Sequence, residues 1–178
     1  MAEVSVRPAA AGDAAEIARI QRETWQQAYA AWLPPVVLES ATQDVAQATW
    51  LDAITTPPSP RYHVLVALEQ QWQVGFAAFG PVLDEDSGAE VGGAGQVAAL
   101  LVEPRWGRRG HGSRLLAAVV DLMRADGVRT ATVWVPEQDA ASLAFYTSAG
   151  WERDGYARTL EGEGAAMTEV RLHVSLEE

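Results

Sequence analysis

Apolar positions along this chain recur with two different periods, and the changes between them mark the elements. Val4–Pro8 reads as a short strand. Ile17, Ile20, Trp25 and Ala28 then fall near helical spacing, which predicts a helix over Ala14–Tyr29 with Asp13 as its cap. Pro34-Pro35 interrupts it, and a second helical stretch capped by Thr42 carries Val45, Trp50 and Ile54. Thr55–Arg61, with three prolines, is a loop. The β-rich runs Tyr62–Leu68 and Val74–Phe79 are joined by the polar Glu69–Gln73 and read as a hairpin. Asp84–Gly95 is acidic and glycine-rich, which predicts a mobile connection before the strand Gln96–Val102. A helix over Gly112–Ala125 ends at Asp126-Gly127, and Thr130–Val135 is a buried strand. Asp139 caps a helix over Ala140–Ala149, stopped by Gly150, and Trp151–Arg158 with Met167–Leu176 forms a last pair of strands around Glu161–Gly164.

This order predicts one α/β sheet of about seven strands with about four helices, all in a single domain over residues 1–178. The middle strands are expected to be parallel, because a strand–helix–strand crossover joins Gln96–Val102 to Thr130–Val135. Apolar residues at 48% and charged residues at 21% are ordinary for a globular chain. No apolar run approaches the roughly 20 residues that cross a bilayer, and the chain enters a strand-like pattern directly, so neither membrane nor signal peptide is expected. Cysteine is absent, which excludes disulfides and a thiol nucleophile, and a cytoplasmic location is the default expectation.

Charge narrows the picture. The net charge is −11, and every basic residue is arginine. An acidic surface disfavours nucleic acid and attracts cationic partners such as ammonium groups. Yet Arg105, Arg108, Arg109 and Arg114 crowd into ten residues, a local cationic patch suited to one small anionic ligand. That patch coincides with Gly107, Gly110 and Gly112, immediately before a helix. Glycines let the backbone turn tightly, the helix start offers unpaired N–H groups, and guanidinium groups add charge-assisted hydrogen bonds. A P-loop is excluded because it requires lysine, and a dinucleotide fingerprint is excluded because Leu115 stands where its third glycine belongs.

Val102-x-Pro104-x-Trp106 followed by Gly110-x-Gly112 resembles the signature of the GNAT superfamily of acetyltransferases, with Gly107 in place of its usual Arg or Gln. About thirty residues on, Asp139-x-x-Ser142-x-x-Phe145-Tyr146-x-x-x-Gly150-Trp151 is similar to the family's second motif, with Asp139 for Asn. The resemblance implies a mixed, mostly antiparallel sheet whose parallel central pair splays apart. It also implies acetyl-CoA as co-substrate, bound in the gap by Leu101, Val102, Arg108, Arg109, Gly110, His111, Gly112, Ser113 and Asp139. Tyr146 is the expected catalytic residue, acting on the departing sulfur, with a backbone N–H near Val102 stabilising the oxyanion. Because a thiol near 8.5 is a stronger acid than a phenol near 10, Tyr146 is expected to donate a hydrogen bond and to keep its proton until the sulfur takes charge.

The activity so implied is transfer of acetyl to an amine of a small molecule or a peptide N-terminus by direct attack in a ternary complex. The alternative is a non-catalytic acyl-CoA-binding sensor or regulatory domain of the same fold. Gln96 stands where relatives often carry the general base Glu, and the residues do not choose among Glu23, Glu69, Glu103, Glu152 and Asp154 as a substitute. Trp25 is expected in the core and Trp32 in a pocket wall. His63, His111 and His173 have no metal-ligand spacing, so no metal is expected. A homodimer is left open.

Overall fold

The computed structural model describes residues 3–40, 42–162 and 165–177. Seven strands form one sheet in the order β1-β2-β3-β4-β5-β7-β6, where β1 is Val4–Pro8, β2 His63–Glu69, β3 Trp72–Leu83, β4 Glu90–Val102, β5 Thr130–Pro136, β6 Glu152–Gly162 and β7 Ala165–Ser175. Every neighbouring pair is antiparallel except β4–β5. The helices are α1 (Ala14–Tyr29), α2 (Pro35–Ser40), α3 (Gln43–Thr55), α4 (His111–Ala125) and α5 (Ala140–Ser148). The mixed sheet with a parallel central pair is as the sequence and its resemblance implied, with one more helix.

That helix, α2, begins at Pro35. Proline at the first helical position loses no hydrogen bond, so the Pro34-Pro35 pair that ends one helix also opens the next. A second difference concerns Asp84–Gly95, expected as a mobile connection. Strand β3 continues to Leu83 and β4 already begins at Glu90, paired Leu83↔Glu90 and Pro81↔Gly95. Asp84 closes the turn between them by accepting from Ser87 N at 2.8 Å and Ser87 Oγ at 2.7 Å. The last hairpin is likewise longer than expected, and Glu163 and Gly164 of its turn lie outside the described residues.

Each face of the sheet carries its own apolar layer. On one, Ile17 and Ile20 of α1 pack with Val66 and Phe76, and Trp50 of α3 meets Phe76 edge-on at 5.0 Å. On the other, Leu115, Val119 and Met123 of α4 cover Leu65, Ala67, Val74 and Ala77, and Trp151 is buried against Tyr146. Burying each large side chain contributes roughly 1.5–3 kcal/mol, which fixes both helical layers on the sheet. Trp25 belongs to neither layer: it is 37% exposed, its ring tilted against Tyr29 with centres 6.4 Å apart. Among the described residues no helix is long and apolar enough to cross a membrane.

A candidate functional cleft between the splayed strands and its glycine-rich turn

Two breaks in the hydrogen-bond ladder open the centre of the sheet. Along β3–β4 the register passes from Ala78↔Ala99 to Phe79↔Val97, leaving Ala98 as the extra residue of a β-bulge. The parallel pairing of β4 with β5 stops at the same level, Val97↔Val133. Beyond it β5 stays paired to β7 and residues 99–102 of β4 stay paired to β3, so the two central strands separate. The edge of β4 that faces the gap therefore has backbone groups without a strand partner, and a buried ligand with amide groups can satisfy them.

The gap is a cleft of about 470 Å³. Leu100, Leu101 and Val102 form its β4 wall, Thr24, Ala28 and Tyr29 of α1 another, and Asp139, Ser142, Phe145 and Tyr146 the α5 wall. The turn from Trp106 to Ser113 closes the remaining side. Of the residues expected from the sequence, Leu101, Val102, Arg108, Gly110, His111, Gly112, Ser113, Asp139 and Tyr146 all line this one cleft.

Local geometry explains the turn. Gly110 caps α4 at φ +82, and Arg108 holds φ +61, a left-handed backbone that costs a non-glycine residue about 1–3 kcal/mol. Gly112 serves packing: a Cβ there would meet the Phe145 ring at 3.3 Å, so its absence lets α4 approach α5 closely. The first turn of α4 leaves backbone N–H groups unpaired, and the helix dipole favours an anion there.

Arg109 differs from expectation. It is absent from the cleft lining; its Nη1 donates to Glu69 Oε1 at 2.9 Å and its guanidinium lies 5.0 Å from the Trp106 ring centre. The guanidinium is thereby held by the carboxylate of Glu69, on the end of β2. The His111 ring is spent in the same way: it is 2% exposed, and Nε2 donates to Glu69 Oε2 at 2.7 Å. What His111 offers a ligand is its backbone N–H at the helix start. Arg114 lies beside the turn instead, donating from Nη1 to the Arg109 carbonyl at 3.1 Å.

At the other end of the cleft two phenols and a carboxylate meet. Asp139 caps α5, accepting from Ser142 N at 3.0 Å and Ser142 Oγ at 2.6 Å. Burial, then the charges of Asp139 and Glu169, push the Tyr29 phenol up to about 12. Tyr146 is 5% exposed, packed edge-on against Phe145 and Trp151. Burial above all, with Tyr29 and Asp139 adding to it, holds its phenol well above the ordinary range.

Four of the carboxylates considered as a base, Glu23, Glu69, Glu103 and Asp154, are engaged elsewhere. Glu103 is 5% exposed and pairs with Arg19 and Arg105, Glu23 pairs with Arg19, and Asp154 pairs with Arg171. Glu152 stands on the exposed strand β6, opposite His173. Gln96 lines a separate cavity of about 410 Å³ with Trp50, Tyr62 and Gly80. Asp139 is the one carboxylate among the residues lining the cleft. Trp32, expected in the wall, is not among them; Tyr29, one turn earlier and 5.4 Å from its ring, takes that place.

Two polar atoms of the lining went unnoticed in the sequence. The Thr24 hydroxyl and the Trp106 indole nitrogen are buried and have no hydrogen-bond partner among the described residues. The open edge of β4 and the glycine turn before α4 are the features that fit an elongated ligand carrying amides and a diphosphate. Among the described residues no group of three His, Cys, Asp or Glu side chains is placed to hold a metal.

Comparison with known proteins agrees with this geometry. Residues 16–151 match the family model described as the acetyltransferase (GNAT) family. The uncharacterized N-acetyltransferase YuaI of Bacillus subtilis (strain 168) is 29% identical over 170 residues, covering 95% of this chain and 91% of that protein. The fold is shared with the paiA N-acetyltransferase of Thermoplasma acidophilum, solved with coenzyme A (TM-score 0.71, 15% identity, covering 97% and 99% of the two chains). It is shared also with yncA of Salmonella typhimurium, solved with acetyl-CoA (TM-score 0.73, 22% identity, covering 98% and 95%). The chain therefore belongs to the acetyltransferase (GNAT) family and is an acetyl-CoA-dependent acyltransferase.

Proposed function

We propose that this protein transfers the acetyl group of acetyl-CoA to the amine of a small molecule or a peptide N-terminus, by direct attack within a ternary complex. The observation that carries the proposal is the cleft itself, in which an anion-binding turn, an open strand edge and a buried tyrosine line one continuous space. Acetyl-CoA would supply the activated acyl group. The backbone of Gly110, His111 and Gly112, with the Arg108 side chain, would hold the diphosphate. Unpaired groups on Leu101 and Val102 would take the amide-bearing arm, and a backbone N–H near Val102 would stabilise the oxyanion.

Tyr146 then serves the leaving sulfur. Its raised pKa keeps it protonated at neutral pH, so it acts as a hydrogen-bond donor during C–S cleavage. Among the described residues lining the cleft the one carboxylate is Asp139, and it already accepts two hydrogen bonds from Ser142. An amine that reaches the cleft neutral needs no base in order to attack, and the proton its nitrogen sheds as the C–S bond breaks ends on the departing CoA thiolate; this favours weakly basic acceptors.

That same engagement of the carboxylates favours a second reading, a domain that binds acyl-CoA and does not turn it over. Thiol release from acetyl-CoA across a panel of amines separates the two. Amine-dependent release supports the transferase, and tight CoA binding with no release for any amine supports the sensor.

A further inference from the structure

We infer that Arg158 and Arg171 form a subsite for a carboxylate on the acyl acceptor, so that the acceptor is an amino acid or a short peptide with a free acid group. The inference rests on the transferase reading above and narrows its acceptor class. The subsite is built on the sheet face turned away from α4. Ala131, Val133 and Val135 of β5 belong to the apolar layer beneath α4, so the alternate residue Trp134 points to the other face. Its cross-strand neighbour Arg171 shares that face, as do Glu169 beside Pro136 and Arg158 beside Glu169. Both guanidinium groups converge on the indole. Arg158 lies 4.4 Å and Arg171 5.7 Å from its ring centre, and Arg171 is also 4.1 Å from that of Tyr156. Each is anchored through Nε: Arg158 donates to Glu169 Oε2 and Arg171 to Asp154 Oδ2, both at 2.6 Å. Their terminal nitrogens have no hydrogen-bond partner among the described residues, and the two side chains are 43% and 28% exposed.

Position ties this pair to the cleft. The last β4–β5 pair is Val97↔Val133, so Trp134 is the first residue of β5 past the point where the strands part. Glu169 is near enough to Tyr29, in the cleft wall, for its charge to raise that phenol. An amine at the inner end of the cleft thus leaves the rest of its molecule beside Trp134.

Two guanidinium groups drawn to one ring repel each other, and Glu169 and Asp154 offset that repulsion. Each carboxylate takes the Nε donor, whereas a guanidinium carries five N–H donors. Contact with the ring restricts both groups, and their remaining donors form the planar fork that matches a carboxylate with two parallel hydrogen bonds. A neutral amine tail would leave those donors to water.

Steady-state thiol release on the full chain tests this with two acceptor pairs, alanine against alaninamide and alanylalanine against its C-terminal amide. The readout is the ratio of kcat/KM for the acid to that for the amide. In Arg158→Gln and Arg171→Gln that ratio should fall roughly tenfold in at least one pair, the scale of one charge-assisted hydrogen bond. Differences in amine basicity cancel, because wild type and variant meet the same two amines. A ratio within twofold of wild type in both pairs overturns the inference. A lowered melting temperature with the ratio unmoved does so too, and makes the arginines sheet-stabilising ion pairs only. Arg171→Lys keeps a cation beside Asp154 and removes the planar fork, which guards against loss of folding. It should lower the ratio several-fold, and an unmoved ratio there counts equally against the subsite. If wild type acetylates the amides and neither acid, the transferase reading stands and this inference falls. If no amine is acetylated, the transferase reading fails first and this inference with it.

Discussion

His111, the first residue of α4, donates from Nε2 to Glu69 Oε2 at 2.7 Å, and this bond ties the start of that helix to the end of β2. The same carboxylate takes Arg109, so Glu69 sets the position of the whole turn without lining the cleft. Replacing it by alanine strands a buried imidazole and frees a guanidinium. Glu69→Ala is expected to lower the melting temperature and raise KM for acetyl-CoA more than it lowers kcat, as steady-state kinetics would show. The hydrogen bond from His111, helped by Arg109, holds the Glu69 carboxyl below its ordinary range. Its folded-state pKa is depressed, so its contribution is present above about pH 4.5 and lost as the pH falls through the carboxylate range. Acid unfolding of Glu69→Ala should therefore begin from a lower plateau and show a shallower fall.

Tyr146→Phe is expected to reduce kcat by roughly 10²-fold or more, the lower range for loss of an acid–base group, while the Kd for CoA stays within about twofold. Stopped thiol release together with calorimetry checks both halves. Unchanged turnover removes Tyr146 from the mechanism.

The phenols also predict the alkaline limit of stability. Tyr29 and Tyr146 have folded-state pKa values above the ordinary 10, with Tyr29 near 12. Their contribution is complete below pH 10 and lost as the pH rises through about 12. Melting temperatures from pH 8 to 12 should fall steeply above 10, and less so in Tyr29→Phe.

Acceptor choice follows from the lack of a free base. An amine with pKa near 10.4 is only about 0.04% neutral at pH 7, a cost of roughly 4.6 kcal/mol, whereas an α-amine near 7.8 is more than about a tenth neutral. The kcat/KM at pH 7 should favour α-amines over lysine-like amines. For the latter it should rise about tenfold per pH unit up to pH 9. A flat profile with lysine-like amines would sink the argument.

Thr24→Val replaces a buried, unpartnered hydroxyl on α1 by an isosteric methyl. The ligand-free protein should be as stable or more stable, because an unpaired buried polar group costs about 1–3 kcal/mol. If the hydroxyl meets a bound substrate, the same variant loses several-fold in kcat/KM. A drop in stability without a kinetic change would assign Thr24 to packing alone.

Much of this fold can be read from local patterns. The unit β4–α4–β5 shows itself through a change of period, a glycine cluster and a cap at Asp126-Gly127, each of them a pattern of a few adjacent residues. The start of β4 does not: Glu90–Gly95 is glycine-rich and acidic, and only its partners on β3 make it a strand. Helix α2 hides behind Pro35, whose meaning depends on whether it opens or interrupts a helix. The destination of Arg109 is equally hidden, since its partner Glu69 lies 40 residues away.

The amino-acid sequence alone determined the order of elements, the glycine turn before a helix, and the two motifs that mark the family, because these depend on spacing over a few residues. Tertiary structure decided where β4 and β5 part, through the bulge at Ala98. It decided which arginines are spent on carboxylates and which phenol meets Asp139. Those outcomes turn on competition between partners far apart in the chain, and burial and distance, which no local spacing encodes, settle that competition.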